Sequence, residues 1–219
     1  MASTWNRIAF DFSGLDVLVT GGTAGIGGGV AAAFAASGAR VTVTGTRASA
    51  QDYDCDLSGY RYEQFRADVV DDAERLAARL DALDILVNNA GGTGAQPEDF
   101  MRTLDVNLGS VYRLSRACAP LLCKSTLEGG ASVVNMSSFY AYYAHVFFPG
   151  YGAAKAAIVN LTQTLAAIWS KQVIRVNCVV VGSIASRMTE KYIADGNVTP
   201  ILAEHTLLDA WGDPSDIAG

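Results

Sequence analysis

Residues 16–45 leave this chain little choice of fold. DVLVT at 16–20 is an apolar run of strand length, GGTAGIGGG at 21–29 follows at once, and VAAAFAAS at 30–37 is small and helix-forming. Gly38 stops that helix, and RVTVTG at 40–45 reads as a second strand. Two strands joined by a crossover helix run parallel, and parallel strands need helices over both faces. The turn also has a chemical consequence. With no side chains in the way, its backbone N–H groups and the helix N-terminus face an approaching anion together, the arrangement that holds a pyrophosphate. Its spacing is TGxxxGxG rather than GxGxxG. Taken alone, such a glycine cluster also serves tight turns and close helix packing.

Further strand-like runs at 61–66, 83–88, 132–136 and 174–181 alternate with helical stretches. The expected fold is therefore α/β, a doubly wound parallel sheet with helices on both faces. Half of the 219 residues are hydrophobic, which suits one sizeable core, and no linker, repeat or low-complexity tract divides residues 1–219. A net charge of -6 without a lysine or arginine cluster argues against a nucleic acid or an anionic membrane as partner. MASTWNRIAFDF at the start is too polar for a signal peptide, and no apolar run is long enough to span a bilayer, so a cytoplasmic protein is expected. Cys55, Cys118, Cys123 and Cys178 lack metal spacing, since Cys118 and Cys123 are five apart and no histidine joins them. Free thiols and no metal site are the expectation.

Chemistry enters at YGAAK, 151–155, with Ser138 thirteen residues before Tyr151 in SVVNMSS. Residues four apart share a helix face, so Tyr151 and Lys155 point into one cleft. A free tyrosine loses its proton near pH ~10, and an ammonium ~4 Å away supplies about 4 kcal/mol at an effective dielectric of ~20, close to what a shift of about three units requires. Lys155 is thus expected to bring the Tyr151 phenol toward neutrality. Ser138 would hydrogen-bond a substrate oxygen while Tyr151 gives or takes its proton, as alcohol–carbonyl interconversion needs. Such a pair cannot accept a hydride, so the hydride carrier has to be a separate group.

With YGAAK downstream of the glycine turn, the chain resembles the short-chain dehydrogenase/reductase family from about residue 12 to residue 219. TGGTAGIG at 20–27 matches the family's cofactor turn, with Gly21, Thr23, Gly25, Ile26 and Gly27. ADVVD supplies Asp68, with Val69, at the adenine, and NNAG at 88–91 lays Asn89, Ala90 and Gly91 along the cofactor. LDVNL puts Asn107 at the fourth catalytic position, VVNMSS places Ser138, and RVNCVVVGSI at 175–184 matches the segment that holds the nicotinamide, with Gly182, Ile184 and Ser186 nearby. The resemblance implies a Rossmann-like sheet and an NAD(P)(H)-dependent oxidoreductase interconverting an alcohol and a ketone or aldehyde. By the same pattern Asn107, Ser138, Tyr151 and Lys155 are catalytic, with Tyr151 the general acid/base. Lys155 would also bind the nicotinamide ribose, Tyr151 would likewise contact the cofactor, Asn107 would bend its helix to hold a water in a proton relay, and Ile184 would offer its amide to the carboxamide. A small carbonyl or alcohol substrate is implied, as is a homo-oligomer paired through the helices around 106–124 and 152–170. A 3-oxoacyl thioester reductase is the narrower alternative, and a cofactor-binding protein with little catalysis is the alternative of another class.

The end of the second strand decides which cofactor binds. An acid there holds a ribose 2′-hydroxyl and repels a 2′-phosphate. This chain has Gly45-Thr46-Arg47 instead, so NADP(H) is favoured over NAD(H), with Thr46 and Arg47 near the phosphate. Arg47 as a solvated loop residue is the other reading. FYAYYAHVFFPG at 139–150 borders the substrate cleft by the family's pattern; its rings either meet a bulky apolar carbonyl compound or pack internally. His145 is expected in a loop or interface, and Met188, Tyr192 and Trp211 fall in the segment that closes over substrate. Two departures stand out. Val181 replaces the family's proline before Gly182, and the chain ends at DPSDIAG, where relatives begin a helix followed by one more strand. The sixth strand is accordingly expected at an open sheet edge, and any second subunit interface is expected to be altered or missing.

Overall fold

The computed structural model describes residues 10–93, 99–144, 147–190, 193, 206 and 210–218. Tyr192 and His145 lie outside the described residues. Six parallel strands form the sheet: β1 (Asp16–Val19), β2 (Arg40–Gly45), β3 (Arg61–Gln64), β4 (Ile85–Asn88), β5 (Ser132–Ser138) and β6 (Arg175–Val181), in the order β3-β2-β1-β4-β5-β6. The order reverses between β1 and β4, and a crevice opens beyond the carboxyl ends of strands at such a switch point. The glycine turn leaves β1 at that place.

Alternation along each strand divides the core in two. Leu18, Leu86 and Val133 point to one face, where α2 (Asp72–Ala77), α4 (Ser110–Leu122) and α5 (Pro149–Trp169) bring Leu76, Leu114, Leu122 and Leu165 against them. Val17, Val19, Val43 and Val87 point to the other face, under Val30 and Ala31 of α1 (Gly25–Ala36). All four residues of β4 are buried, as a strand covered on both sides demands. At about 1.5–3 kcal/mol per fully buried aliphatic side chain, this two-sided burial is what holds the strands in register.

The elements differ from the sequence expectation mainly at their ends. β5 runs on to Ser138, and α1 starts at Gly25 rather than beyond the glycines. The helix expected around 106–124, with its bend at Asn107, is a π-helical turn (Asp105–Gly109) running into α4, and a separate short helix, α3 (Phe100–Leu104), comes before it. β6 forms a sheet edge, with Val179 and Val180 exposed. Beyond β6 the chain returns to α1. Ile184 bridges Gly212, through Ala185 N–H to the Gly212 carbonyl (2.8 Å) and Gly212 N–H to the Ser183 carbonyl (2.9 Å). The short helix α6 (Pro214–Ala218), where DPSDIAG leads one to expect a helix to begin, then packs on α1. A Cβ on Gly29 would stand 3.0 Å from the Pro214 carbonyl, so the last glycine of GIGGG serves this close approach.

Candidate active site

The glycine turn is shaped for an anion. Gly21 and Gly25 have φ of +66° and +55°, values that favour glycine, and a Cβ on Gly27 would collide with the Gly21 carbonyl and the Asn89 amide. The N-cap of α1 is Ala24, which supplies no side-chain oxygen, and the first turn holds no acid. The orphan amides of Gly25, Ile26 and Gly27 thus lack the partner that most helix starts provide from within. Thr23 lies in the same turn, and its carbonyl accepts from the Cys55 thiol at 3.2 Å. A dinucleotide's pyrophosphate fits this cradle, being a diffuse anion that reaches a helix N-terminus only where no side chain stands in front.

Thr20, at the end of β1, ties the turn to the end of β4. Its hydroxyl donates to the Val87 carbonyl (3.2 Å) and accepts from the backbone amides of Asn89 (2.9 Å) and Ala90 (3.0 Å). The Asn89 side chain donates in return to the Thr20 carbonyl at 2.9 Å. Asn89 and Ala90 therefore brace the cradle from behind. Nothing in the order of residues in TGGTAGIG tells a hub such as Thr20 from a spacer.

Ser138, Tyr151, Lys155 and Asn107 converge where β5 and α5 meet the π turn. Pro149 is at the first turn of α5, which pre-sets the helix, and Gly150 lets that end approach Phe100 of α3, where a Cβ would be 3.1 Å from its Cα. Ser138 ends β5, its hydroxyl accepting from Tyr140 N–H at 3.3 Å and hydrogen-bonding the Tyr151 phenol. Lys155 is held at both ends by the neighbouring strand. Its ammonium donates to the Met136 carbonyl and its own carbonyl accepts from the Ser137 hydroxyl, each at 2.8 Å. Ser137 is a second contributor that pattern reading passed over.

Asn107 is fully buried within the π turn. Its amide nitrogen donates to the carbonyls of Thr103 (2.9 Å) and Gly92 (2.7 Å), and its oxygen accepts from Gly92 N–H at 3.1 Å. A side chain that takes up a helix carbonyl displaces the regular ladder, and the π turn is the result. A Cβ on Gly91 would stand 2.5 Å from the Asn107 oxygen and 3.6 Å from the Lys155 ammonium, so Gly91 is the gap between them. Beneath this cluster a buried ladder runs from Ser115 through Asn88 and Asn135 to Thr162, with spacings of 2.9, 2.8 and 3.0 Å.

The electrostatics differ from the expectation. Burial raises the Tyr151 phenol above its ordinary range, the Ser138 hydrogen bond opposing it. Burial also pulls Lys155 down to about 8, with Cys178 acting in the opposite sense. The ammonium lies 5.4 Å from the Tyr151 ring centroid and turns toward the Met136 carbonyl. Lys155 therefore does not acidify the phenol in this arrangement; desolvation governs both groups.

At the other end of the crevice, Thr46 and Arg47 are exposed beyond β2. Asp68 pairs with Arg102 at 2.9 Å, whose hydrogen bond holds its carboxyl low, and the Val69 amide donates to the Arg66 carbonyl within a local turn. Gly182 and Ser183 follow β6. The two bridge bonds to Gly212 leave the Ile184 amide facing away from that strand. Ser186 stands over the glycine turn, 3.6 Å from where a Gly25 Cβ would be, its amide bonded to Thr189 at 2.8 Å. The rings of Phe139 and Tyr140 pack at 4.2 Å, tilted 32° to one another, just after Ser138, and Tyr140 meets Tyr151 edge-on at 6.5 Å. Tyr142, Tyr143, Phe147 and Met188 are exposed, and Trp211 is half-buried beside the Gly212 bridge.

The comparisons agree with this geometry. A family model described as short chain dehydrogenase matches residues 16–197. Gluconate 5-dehydrogenase of Gluconobacter oxydans is 30% identical over 96% of this chain and 87% of its own length. The 7alpha-hydroxysteroid dehydrogenase of Escherichia coli is 32% identical over 92% of this chain and 83% of its length. Among solved structures, the Pseudomonas aeruginosa RhlG/NADP active-site complex superposes with a TM-score of 0.85 at 31% identity, covering 96% of this chain and 88% of that one. A 7 alpha-hydroxysteroid dehydrogenase complexed with NADH and 7-oxo glycochenodeoxycholic acid gives 0.82 at 29% identity, covering 96% and 86%. The chain belongs to the short-chain dehydrogenase/reductase family, and is an oxidoreductase that interconverts an alcohol and a carbonyl with a nicotinamide cofactor.

Proposed function

We propose that this enzyme works chiefly as an NADPH-dependent carbonyl reductase in the cytoplasm, with Tyr151 as general acid, Ser138 as donor to the substrate oxygen, and Lys155 and Asn107 completing the site. The observation that carries this reading is the meeting of Ser138, Tyr151 and Lys155 beside the glycine cradle. The nicotinamide, when bound, supplies the hydride. The cradle would hold the pyrophosphate through Thr23, Gly25, Ile26 and Gly27, and Lys155 would reach the ribose. Ile184 would offer its free-facing amide to the carboxamide, with Gly182 and Ser186 alongside. Asp68 and Val69 would lie at the adenine.

Direction follows from the phenol. A tyrosine whose proton is held more tightly than in water arrives charged with that proton at neutral pH, which suits delivery to a carbonyl oxygen. Oxidation would need the phenolate and so an alkaline solution. NADP(H) over NAD(H) is supported by Gly45, which carries no acid, and by Arg47 beyond it. Four free cysteines suit a reducing compartment. The aromatic rim of Phe139, Tyr140 and Tyr143 supports a bulky apolar carbonyl compound over a polyhydroxylated one. A homo-oligomer is supported by α5, whose 21 residues carry one charge, the buried Lys155, leaving an uncharged outer face that includes the exposed Ile168.

Following NADPH oxidation at about 340 nm over a panel from alicyclic ketones to keto sugar acids tests the reading, with Tyr151→Phe as control. Turnover of apolar ketones that the control abolishes is the expected result. Tight cofactor binding with no turnover on any ketone would sink it.

A further inference from the structure

The end of β2, where the proposed function places the cofactor's adenosine ribose, is contacted by a residue that none of the motifs includes. Tyr53 stands in the loop between β2 and β3, after a one-turn helix at Ala50–Asp52. Its hydroxyl reaches back to the end of β2 and sits where a side chain at position 45 would begin, so that a Cβ on Gly45 would collide with it. A Cβ there would also meet Thr23 of the glycine turn at 3.0 Å. The place where an acidic residue would hold a ribose 2′-hydroxyl is thus filled by a phenol from eight residues further on.

The same tyrosine organises Arg47. Its hydroxyl accepts from the Arg47 amide at 3.0 Å, and the guanidinium lies over its ring, 4.7 Å from the centroid. Two residues of β3 complete the clamp: Tyr62 donates to the Arg47 carbonyl at 2.6 Å, and Gln64 donates to the Thr46 carbonyl at 2.9 Å. The Tyr53 hydroxyl is also hydrogen-bonded to Thr46, and the Tyr62 hydroxyl lies 3.5 Å away, a long contact. A stacked cation on an anchored backbone is therefore presented at one edge of the crevice. A loop held by one such bond would swing; three side chains and a stacking contact fix it, so little ordering remains when an anion binds.

We propose that Tyr53 is a specificity-determining residue for the cofactor's adenosine ribose. It excludes an acid at position 45 by occupying its space, and it holds the Arg47 guanidinium toward a 2′-phosphate. The proposal rests on reading this strand end as the ribose site.

Its test is direct binding of NADPH and NADH to the full chain, by fluorescence titration, in four forms: unmodified, Tyr53→Ala, Gly45→Asp, and the double variant. Tyr53→Ala is expected to weaken NADPH about tenfold, the scale of a missing cation–π and charge-assisted interaction, while changing NADH less than about twofold. Gly45→Asp alone is expected to weaken both cofactors, because the acid and the phenol compete for one volume. In the double variant the space is free, so NADH binding recovers at least about tenfold over Gly45→Asp, a bidentate ribose contact's worth. Tyr53→Phe, which keeps the ring, serves as the folding-neutral check and should retain most of the NADPH preference. Equal weakening of both cofactors in Tyr53→Ala would reduce the residue to a structural part and overturn the proposal. So would Gly45→Asp binding NADH as well as the double variant does. If the unmodified chain itself prefers NADH, the NADP(H) assignment and the Arg47 half of the proposal fail together, while the rescue of Gly45→Asp by Tyr53→Ala still decides the steric half.

Discussion

The two ends of the crevice are built on opposite physical plans. At the end proposed for catalysis, Ser138, Lys155 and Asn107 are buried, and their polar atoms are matched to backbone groups of adjoining elements at 2.7–3.3 Å. At the end proposed for the adenosine, Thr46, Arg47 and Asp68 are exposed, and what holds them is other side chains: Tyr53, Tyr62, Gln64 and Arg102. Burial makes the first end sensitive to single atoms, since a group deprived of its partner there has no water to turn to. Exposure makes the second end adjustable, because surface contacts exchange at about 0–1 kcal/mol each. Rate should therefore be fragile at one end and cofactor preference pliable at the other.

The sharpest break in that contrast is at Tyr151. Tyr151→Phe removes one oxygen, leaving Ser138 without its phenol partner, and should lower turnover about 10³-fold, within the range for a lost proton donor. NADPH affinity measured by titration should stay within about twofold, because the cradle contains no part of that oxygen. A loss confined to affinity would contradict the division of labour between the two ends. Asn107→Ala comes next. It strips partners from the Thr103 carbonyl and from both Gly92 groups, so a cost of about 2–3 kcal/mol in stability and about 10²-fold in rate is expected. Thermal melts beside steady-state rates check it. Asn107→Asp, which turns a second acceptor toward the Thr103 and Gly92 carbonyls in a dry site, should cost at least as much as Asn107→Ala.

How much of this was legible in the chain follows the same division. The strand–turn–helix at 16–45 and the alternation after it are local signals, and the doubly wound sheet follows from them together with the handedness of parallel crossovers. Tyr151 and Lys155 are four residues apart on one helix, so their shared face needed no tertiary knowledge. Ser137, Thr20 and Tyr53 are different. Each acts on a partner between 6 and 70 positions away, and the residue types are common enough that only the fold singles them out. A bend at Asn107 is implied by the family resemblance, but its form as a π turn depends on the buried side chain capturing the Thr103 carbonyl. A spacing argument places Lys155 near Tyr151 without telling how dry the site is, and the burial that raises the phenol is set by the fold.

Lys155→Met sharpens the comparison from the side of stability. A buried ammonium drawn down to about 8 is carried at neutral pH against its preference. Methionine of similar length removes that burden, worth about 3 kcal/mol for a shift of this size, and gives back about 1 kcal/mol by stranding the Met136 carbonyl. The variant should melt as a protein about 2 kcal/mol more stable while losing most of its activity. Arg47→Met, the matching change at the exposed end, should leave stability within about 0.5 kcal/mol and alter cofactor preference alone. Lower stability in Lys155→Met would mean that the ammonium is held by more than the Met136 carbonyl.

The smallest effect is also the most diagnostic, because its sign depends on which group titrates. Lys155 is a base whose folded pKa, about 8, lies below its ordinary 10.5. Below pH 8 both folded and unfolded chains carry the proton, so the folded state bears the full burden. Between about 8 and 10.5 the folded chain sheds it first, and by linkage stability contributed at this position rises with pH across that window. The stability difference between Lys155→Met and the unmodified chain should accordingly be widest at pH 7 and close by a few kcal/mol toward pH ~10.5. Rate should move the other way. With the ammonium discharging near 8 and the phenol still holding its proton, carbonyl reduction should fall as pH passes through that region, whereas alcohol oxidation should climb until the phenol ionises above its raised range. Arg47→Met should show the same profile, since no group at the exposed end enters it. A reduction rate flat through pH 8, or a stability gap that widened as the solution became alkaline, would place the titrating proton somewhere other than Lys155.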